Sequence, residues 1–204
     1  MPIKGIIFDY GGVILDMRWD IARELALDHG LGERAIVETL YGSDTWRQVE
    51  TGKGDREAWL VEAHTKLEQM AGKPVPPLHT HWREKQHLID ANVALIERLR
   101  PAYKTALLSN ADETLRDRLR SFGLERLFDG IVISADVGMA KPEPEIYALA
   151  AESIGLPAAE CVFVDDMESN IAAARSAGMQ GVYYRVDLGH DLAGQLAEMG
   201  VRVG

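Results

Sequence analysis

One cysteine stands in the whole chain, Cys161, and it lies inside the apolar run "CVFV". An intrachain disulfide is therefore excluded, and a buried, inert thiol is what its neighbours imply. Basic residues are also in deficit, 22 Lys and Arg against 32 Asp and Glu, for a net charge of −10. That balance excludes a general nucleic-acid binder, whose affinity rests on neutralising phosphates with Lys and Arg. A local cluster of carboxylates could instead hold a cation. No uncharged apolar stretch approaches the roughly 20 residues that cross a bilayer as a helix. The opening "MPIKGIIFDYGGVIL" is interrupted by Asp9 and followed by no small-residue cleavage site, so it does not read as a signal peptide. Membrane insertion is not expected, and a cytoplasmic protein is. Internal repeats and low-complexity tracts are missing too, and no pattern in the sequence sets an oligomeric state.

What is present is enough apolar residue, 47% of 204, for one domain or one domain with a modest insertion. The second half alternates short apolar runs with helical patterns: "KTALLSN", "DETLRDRLRSFG", "GIVIS", "PEIYALAAESIG", "CVFVDD", "ESNIAAARSAG", "GVYY" and "HDLAGQLAEMG". Such alternation predicts a parallel sheet covered by helices. "KGIIFDY" supplies one more buried strand at the N-terminus. Between these parts the texture turns helical, in "WDIARELALDHG", "ERAIVETLYG", "DREAWLVEAHTKLEQMAG" and "HTHWREKQHLI", with "GKPVPP" as a break and no persuasive strand. The fold class expected is α/β, a doubly wound, Rossmann-like parallel sheet (residues 1–16 and 88–204) carrying an inserted all-helical cap (residues 17–87).

In open α/β sheets, ligands bind outside the carboxyl ends of the strands, where strand order reverses. Asp9, the pair Ser109 and Asn110, and the pair Asp165 and Asp166 each follow an apolar run, so three strands would deliver them to one edge. Lys141, in a loop before a helix, could join them. Carboxylates brought together repel, and Mg²⁺, which takes oxygen ligands and bridges carboxylates to phosphate, is the natural partner. Asp9 and Asp166 suit that role. Ser109, Lys141 and the N–H groups of the glycine turn would hold the remaining phosphoryl oxygens. A carboxylate set against phosphorus can act as a nucleophile and form an aspartyl-phosphate that water later hydrolyses.

Singly, each of these residues has an ordinary explanation as a turn former, a cap or a loop charge. Together and in order, "FDYGGVI", "LLSN", "KPEPEIY" and "VFVDDMESNIAAARSAGM" resemble the four motifs of the haloacid dehalogenase superfamily, with matches over nearly the whole chain. The resemblance implies Asp9 as nucleophile and metal ligand, Ser109 and Lys141 as catalytic residues that bind the phosphoryl group, and Asp166 as a Mg²⁺ ligand. It implies a further metal ligand in the Gly11 carbonyl and an assisting role for Asp165 through water. Tyr10, Gly11 and Asn110 fall in the phosphate-binding turns, and Asn170 stands where an aspartate is common, as a supporting hydrogen-bonding residue. The insertion resembles the C1 cap, which closes over the site and selects substrates. Within it Trp46 and Glu50 are candidates to face a small phosphorylated metabolite.

Gly11 departs from the pattern. In the family's phosphatases a second aspartate usually stands there, protonating the leaving group and then activating water. General acid–base help is typically worth 10²–10⁴-fold, about 3–5 kcal/mol of barrier. Three readings follow. The first is a phosphatase whose leaving group needs little protonation, such as a sugar 1-phosphate, or one that uses another acid; Tyr10, Asp16 or a cap residue could supply it, although Asp16 is better placed to cap the first helix. Bacterial glucose-1-phosphatase-like members have a similar "FDxGxVI" opening, and sugar 1-phosphates should then turn over faster than 6-phosphates. The second is a 2-haloacid dehalogenase, which works without metal, yet "VDD" argues for Mg²⁺ and phosphate. The third is a phosphate-binding regulatory domain, against which stands the retained nucleophile Asp9.

Other features call for plainer readings. His79 and His81 in "HTH" have no convergent geometry and read as surface or cap-packing residues. "GKGD" lacks the spacing of a nucleotide-binding loop and reads as a turn. Trp46, Trp59 and Trp82 recur at intervals that suggest packing.

Overall fold

The computed structural model describes residues 2–203. Its strands are β1 (Gly5–Phe8), β2 (Leu15–Asp16), β3 (His87–Leu88), β4 (Lys104–Ser109), β5 (Gly130–Ile133), β6 (Cys161–Asp165) and β7 (Gln180–Tyr183). Five of them form one parallel sheet in the order β5-β4-β1-β6-β7, with Phe8 level with Leu107 on one side and Val164 on the other. β1 and β6 are buried along their whole length, as a parallel sheet under two helix layers requires.

The side-chain period of two splits these strands between two cores. Ile6, Phe8, Leu107, Val162 and Val164 face one, closed by α6 (Asp90–Leu99), α7 (Leu115–Ser121) and α11 (Leu192–Glu198). Ile7, Ala106, Leu108, Cys161 and Phe163 face the other, closed by α9 (Pro144–Glu152) and α10 (Glu168–Ser176). Cys161 is a free, buried thiol. The doubly wound sheet is therefore present, and its strand order reverses between β1 and β6.

The chain leaves this core along β2 and re-enters along β3, and the two pair antiparallel, Leu15 with Leu88 and Asp16 with His87. Between them lie α1 (Trp19–Asp28), α2 (Ala35–Tyr41), α3 (Asp44–Val49), α4 (Arg56–Ala71) and α5 (Leu78–Arg83). These helices bury a separate cluster including Ile36, Leu40, Trp59, Leu67, Leu78 and Trp82. The Trp59 indole N–H donates to the Leu40 carbonyl at 2.7 Å, its ring lies 4.7 Å from that of Trp46, and the Arg83 guanidinium sits 5.5 Å from its face.

Three local expectations need correction, and two others hold with added detail. The interval from Asp16 to Ala91, read as free of strands, contains β3, which is too short to show a period. The helix expected in "HTHWREKQHLI" ends at Arg83, and α6 begins only at Asp90. Asp16 does not cap α1. Its Oδ1 accepts the Arg18 N–H at 2.9 Å, and Arg18 itself holds the N-cap position with φ 51°. His79 is buried with Nε2 3.1 Å from Thr39 Oγ1, and burial, then Arg83 and His64, lower its pKa to about 4, so it packs in the cap as a neutral ring. "GKGD" is a turn from α3 to α4, but not a free one: Gly52 is left-handed, and a Cβ there would overlap the Ala135 carbonyl of α8 (Ser134–Val137) in the core.

Trp59→Ala should lower the free energy of unfolding by about 3–5 kcal/mol, the usual loss for a buried aromatic, read from denaturant titration by circular dichroism. A change below about 1 kcal/mol would contradict the packing described.

Candidate active site

Because the five strands are parallel, their carboxyl ends share one edge, and three of them, β1, β4 and β6, deliver the site's polar residues there. Asp9 follows β1, with its N–H bonded to the Val164 carbonyl at 2.9 Å. Ser109 ends β4 and Asp165 ends β6, with Asp166 next. Lys141, in the loop before α9, reaches into the same space with a side chain only 2% exposed. Its Nζ lies 3.0 Å from Asp9 Oδ1 and 2.6 Å from Asp165 Oδ2, and 5.3 Å from the centre of the Phe163 ring. The nearest carboxylate oxygens of Asp9, Asp165 and Asp166 fall within 4.8 Å of one another.

The two adjacent aspartates divide the work. Asp165 is fully buried and already saturated: it accepts from Lys141, from Asn170 Nδ2 at 3.2 and 3.0 Å, and from the Met167 N–H at 2.7 Å. It is an anchor for Lys141, and Asn170 is the supporting residue that holds the anchor. Asp166 makes no ion pair among the described residues. Burial, then Asp9 and Asp165, push its carboxyl up to about 8. Burial also raises Asp9 to about 6 from 3.8, opposed by Lys141 and reinforced by Asp165. Burial alone would lower Lys141, but Asp165 and then Asp9 outweigh it and hold the amine above its ordinary value. Three carboxylates around one ammonium leave negative charge without a partner, and a divalent cation fits that deficit. Asp9, Asp166 and the Gly11 carbonyl, which accepts no hydrogen bond among the described residues, are the donors free to hold Mg²⁺.

The glycine turn makes this geometry possible. Gly12 has φ 75°, and a Cβ there would overlap the Asp166 carboxylate. Gly11 is under less constraint: a Cβ would meet the flexible Met17 side chain, nearest at Sδ, 3.3 Å away. Tyr10 points the other way. It continues the Ile6–Phe8 face, so its ring is buried in the core beside Arg118, with the hydroxyl unpartnered and its pKa raised by burial. As a source of protons for the site it is corrected; only its main chain, whose N–H donates to Asp9 Oδ1 at 2.7 Å, belongs there. Asn110 likewise spends its side chain elsewhere. Its carboxamide clamps the Lys141 main chain in both directions, at 2.9 and 2.8 Å, which places Lys141 rather than phosphate.

The two cap candidates separate. Trp46 is buried among Tyr41 and Trp59 as part of the cap's core. Glu50, at the end of α3, lies where the cap meets Asn110 and within the field of Lys141. A second junction was not visible in the sequence: Arg56 Nε pairs with the buried Asp112 at 3.2 Å, cap to core.

The family model for haloacid dehalogenase-like hydrolases matches residues 3–178. The chain is 30% identical to the fructose-1-phosphate phosphatase YqaB of Escherichia coli over 89% of its length and 96% of the relative's. It is also 30% identical to the sesquiterpene phosphatase astK of Aspergillus oryzae, over 88% and 89%. A haloacid dehalogenase family enzyme of Bacteroides thetaiotaomicron, solved with magnesium and inorganic phosphate, superposes with TM-score 0.68 at 26% identity, over 93% of this chain and 97% of that one.

Raised carboxyl values mean that the folded protein without metal binds more protons than the unfolded chain between about pH 4 and 8, so its stability should fall as pH rises through that window. Melting temperatures in EDTA should therefore drop from pH 5 to pH 8, and added Mg²⁺ should raise them most at pH 8. A Mg²⁺ shift equal at both pH values would contradict the charge deficit.

Proposed function

The chain belongs to the haloacid dehalogenase-like hydrolases, and from that premise we propose that it is a Mg²⁺-dependent phosphatase of a small phosphorylated metabolite, a sugar phosphate foremost, acting through an aspartyl-phosphate on Asp9. The observation that carries this reading is Asp9 held 3.0 Å from a buried Lys141, beside an Asp166 that makes no ion pair among the described residues. At neutral pH an Asp9 with a pKa near 6 is ionised and able to attack phosphorus. Lys141, fixed by Asp165 and by the Asn110 clamp, meets a phosphoryl oxygen as charge builds there, without reorganising. The Ser109 hydroxyl and the main-chain N–H groups at Gly11 and Asn110 would hold the other oxygens. Mg²⁺, when bound, screens the carboxylates from the phosphate and draws charge from it.

Residues 17–87 act in this reading as a C1-type cap that closes over the substrate and excludes bulk water. The named relatives act on fructose 1-phosphate and on a sesquiterpene phosphate, so phosphate monoesters are the shared chemistry and the cap sets the alcohol. The idle Asp166 favours a metal-bound phosphate over a haloacid, whose dehalogenation needs no cation. A cytoplasmic site of action fits such a substrate, and no described helix is long and apolar enough to cross a membrane.

A screen of sugar phosphates with Mg²⁺ should reveal hydrolysis that is lost in EDTA and lost in Asp9→Asn. Phosphate binding without turnover would instead favour a regulatory domain, and halide release from 2-chloropropionate persisting in EDTA would favour a dehalogenase.

A further inference from the structure

Glycine at position 11 leaves the phosphatase reading without a proton donor, and the core side of the site offers no replacement. Tyr10 turns into the core, Asp16 is spent on the Arg18 N–H, Asp165 is saturated, and Asp166 is taken up as a Mg²⁺ ligand in that reading. The cap does offer one. The corner from α3 to α4 is pressed onto the core at two points: Gly52 against the Ala135 carbonyl after β5, and Arg56 on Asp112 after β4. Glu50 opens that corner, its N–H fixed to the Trp46 carbonyl at 2.7 Å. Trp46 and Asn110 are among the groups that act on its carboxyl, and Asn110 is the residue whose carboxamide clamps the Lys141 main chain. One residue thus stands between Glu50 and Lys141, whose amine lies 3.0 Å from Asp9.

Resting on the phosphatase reading, we propose that Glu50 is the general acid, supplied by the cap in place of the residue missing at position 11. Asp9 attacks phosphorus and the bond from phosphorus to the alcohol oxygen breaks. The electron pair stays on that oxygen, which takes the proton of the Glu50 carboxyl and leaves as neutral alcohol. Water then attacks the aspartyl-phosphate, the bond from phosphorus to Asp9 breaks, and the Glu50 carboxylate accepts the water's proton. Phosphate departs with Asp9 and Glu50 both restored. The charged groups facing Glu50 are Arg47 on its own helix and Lys141 from the core, and both oppose protonation; burial outweighs them and raises its pKa to about 7, which suits a group that must both give and take a proton. An acid carried by the cap is in place only when the cap is closed, so protonation is tied to substrate capture.

The test is Glu50→Gln, a conservative change at a half-buried helix end that should leave the melting temperature in place. Wild-type hydrolysis that vanishes in Asp9→Asn establishes the phosphatase reading independently of Glu50. Given that, single-turnover release of alcohol from an alkyl phosphate such as fructose 1-phosphate should slow about 10²-fold or more in Glu50→Gln, while release of p-nitrophenol from p-nitrophenyl phosphate, whose leaving group needs little protonation, should change less than about fivefold. Equal losses on the two substrates, or a higher KM with kcat unchanged, would overturn the assignment and leave Glu50 as a binding residue.

Discussion

A lysine buried between two aspartates governs the rest of this molecule. Lys141 has lost its water, and taking an ammonium from solvent is costly unless paired and hydrogen-bonded charges replace it. Asp165 does so at 2.6 Å and Asp9 at 3.0 Å. Those two aspartates lie at the ends of adjacent strands, so the pair forms only if β1 and β6 are in register, Phe8 level with Val164. The Asn110 clamp brings in β4 as well. Three strand ends and one loop are tied into a single charge network, and the sheet order sets where it can form.

That network is unbalanced on purpose. Asp165 is spent on holding Lys141, which leaves Asp166 idle, and Gly12 lets the turn after Asp9 approach Asp166 because any side chain there would collide with the Asp166 carboxylate. Adjacent aspartates that look interchangeable in the sequence are thus an anchor and a ligand. Their difference comes from hydrogen bonding: one is saturated by Asn170 and the Met167 N–H, and the other makes no ion pair among the described residues and has a raised pKa.

Much of this was legible beforehand because strands ending in charged residues, parallel by their alternation with helices, must present those charges on one edge. The places of Asp9, Ser109 and Asp166 needed no more than that, whereas Lys141, in a loop, was assigned to the site by the family resemblance. What was not legible depended on side-chain direction. Tyr10 sits in the phosphate turn by position, yet the strand period carries its ring into the core. Asn110 is at the right edge, but only the folded loop brings the Lys141 main chain within its reach. Short elements escaped as well. β2 and β3 are two residues each, and α3, six residues begun by Ser43 Oγ accepting the Trp46 N–H, is little longer. The cap's facing was the largest gap, since Trp46 and Glu50 lie one helical turn apart and yet one is core and the other meets the site.

Gly11 accordingly changes meaning. Its carbonyl remains available to a metal, and the proton it cannot move is left to a group carried by the cap. All of this rests on Asp9 as the atom that takes the phosphoryl group. The direct measurement is to quench the enzyme with acid during turnover of a sugar phosphate, reduce with borohydride, and map the product by mass spectrometry. The account predicts homoserine at position 9, the reduction product of an aspartyl-phosphate, in a yield that depends on substrate and Mg²⁺. Reduction at another carboxylate, or at none while turnover continues, would contradict it.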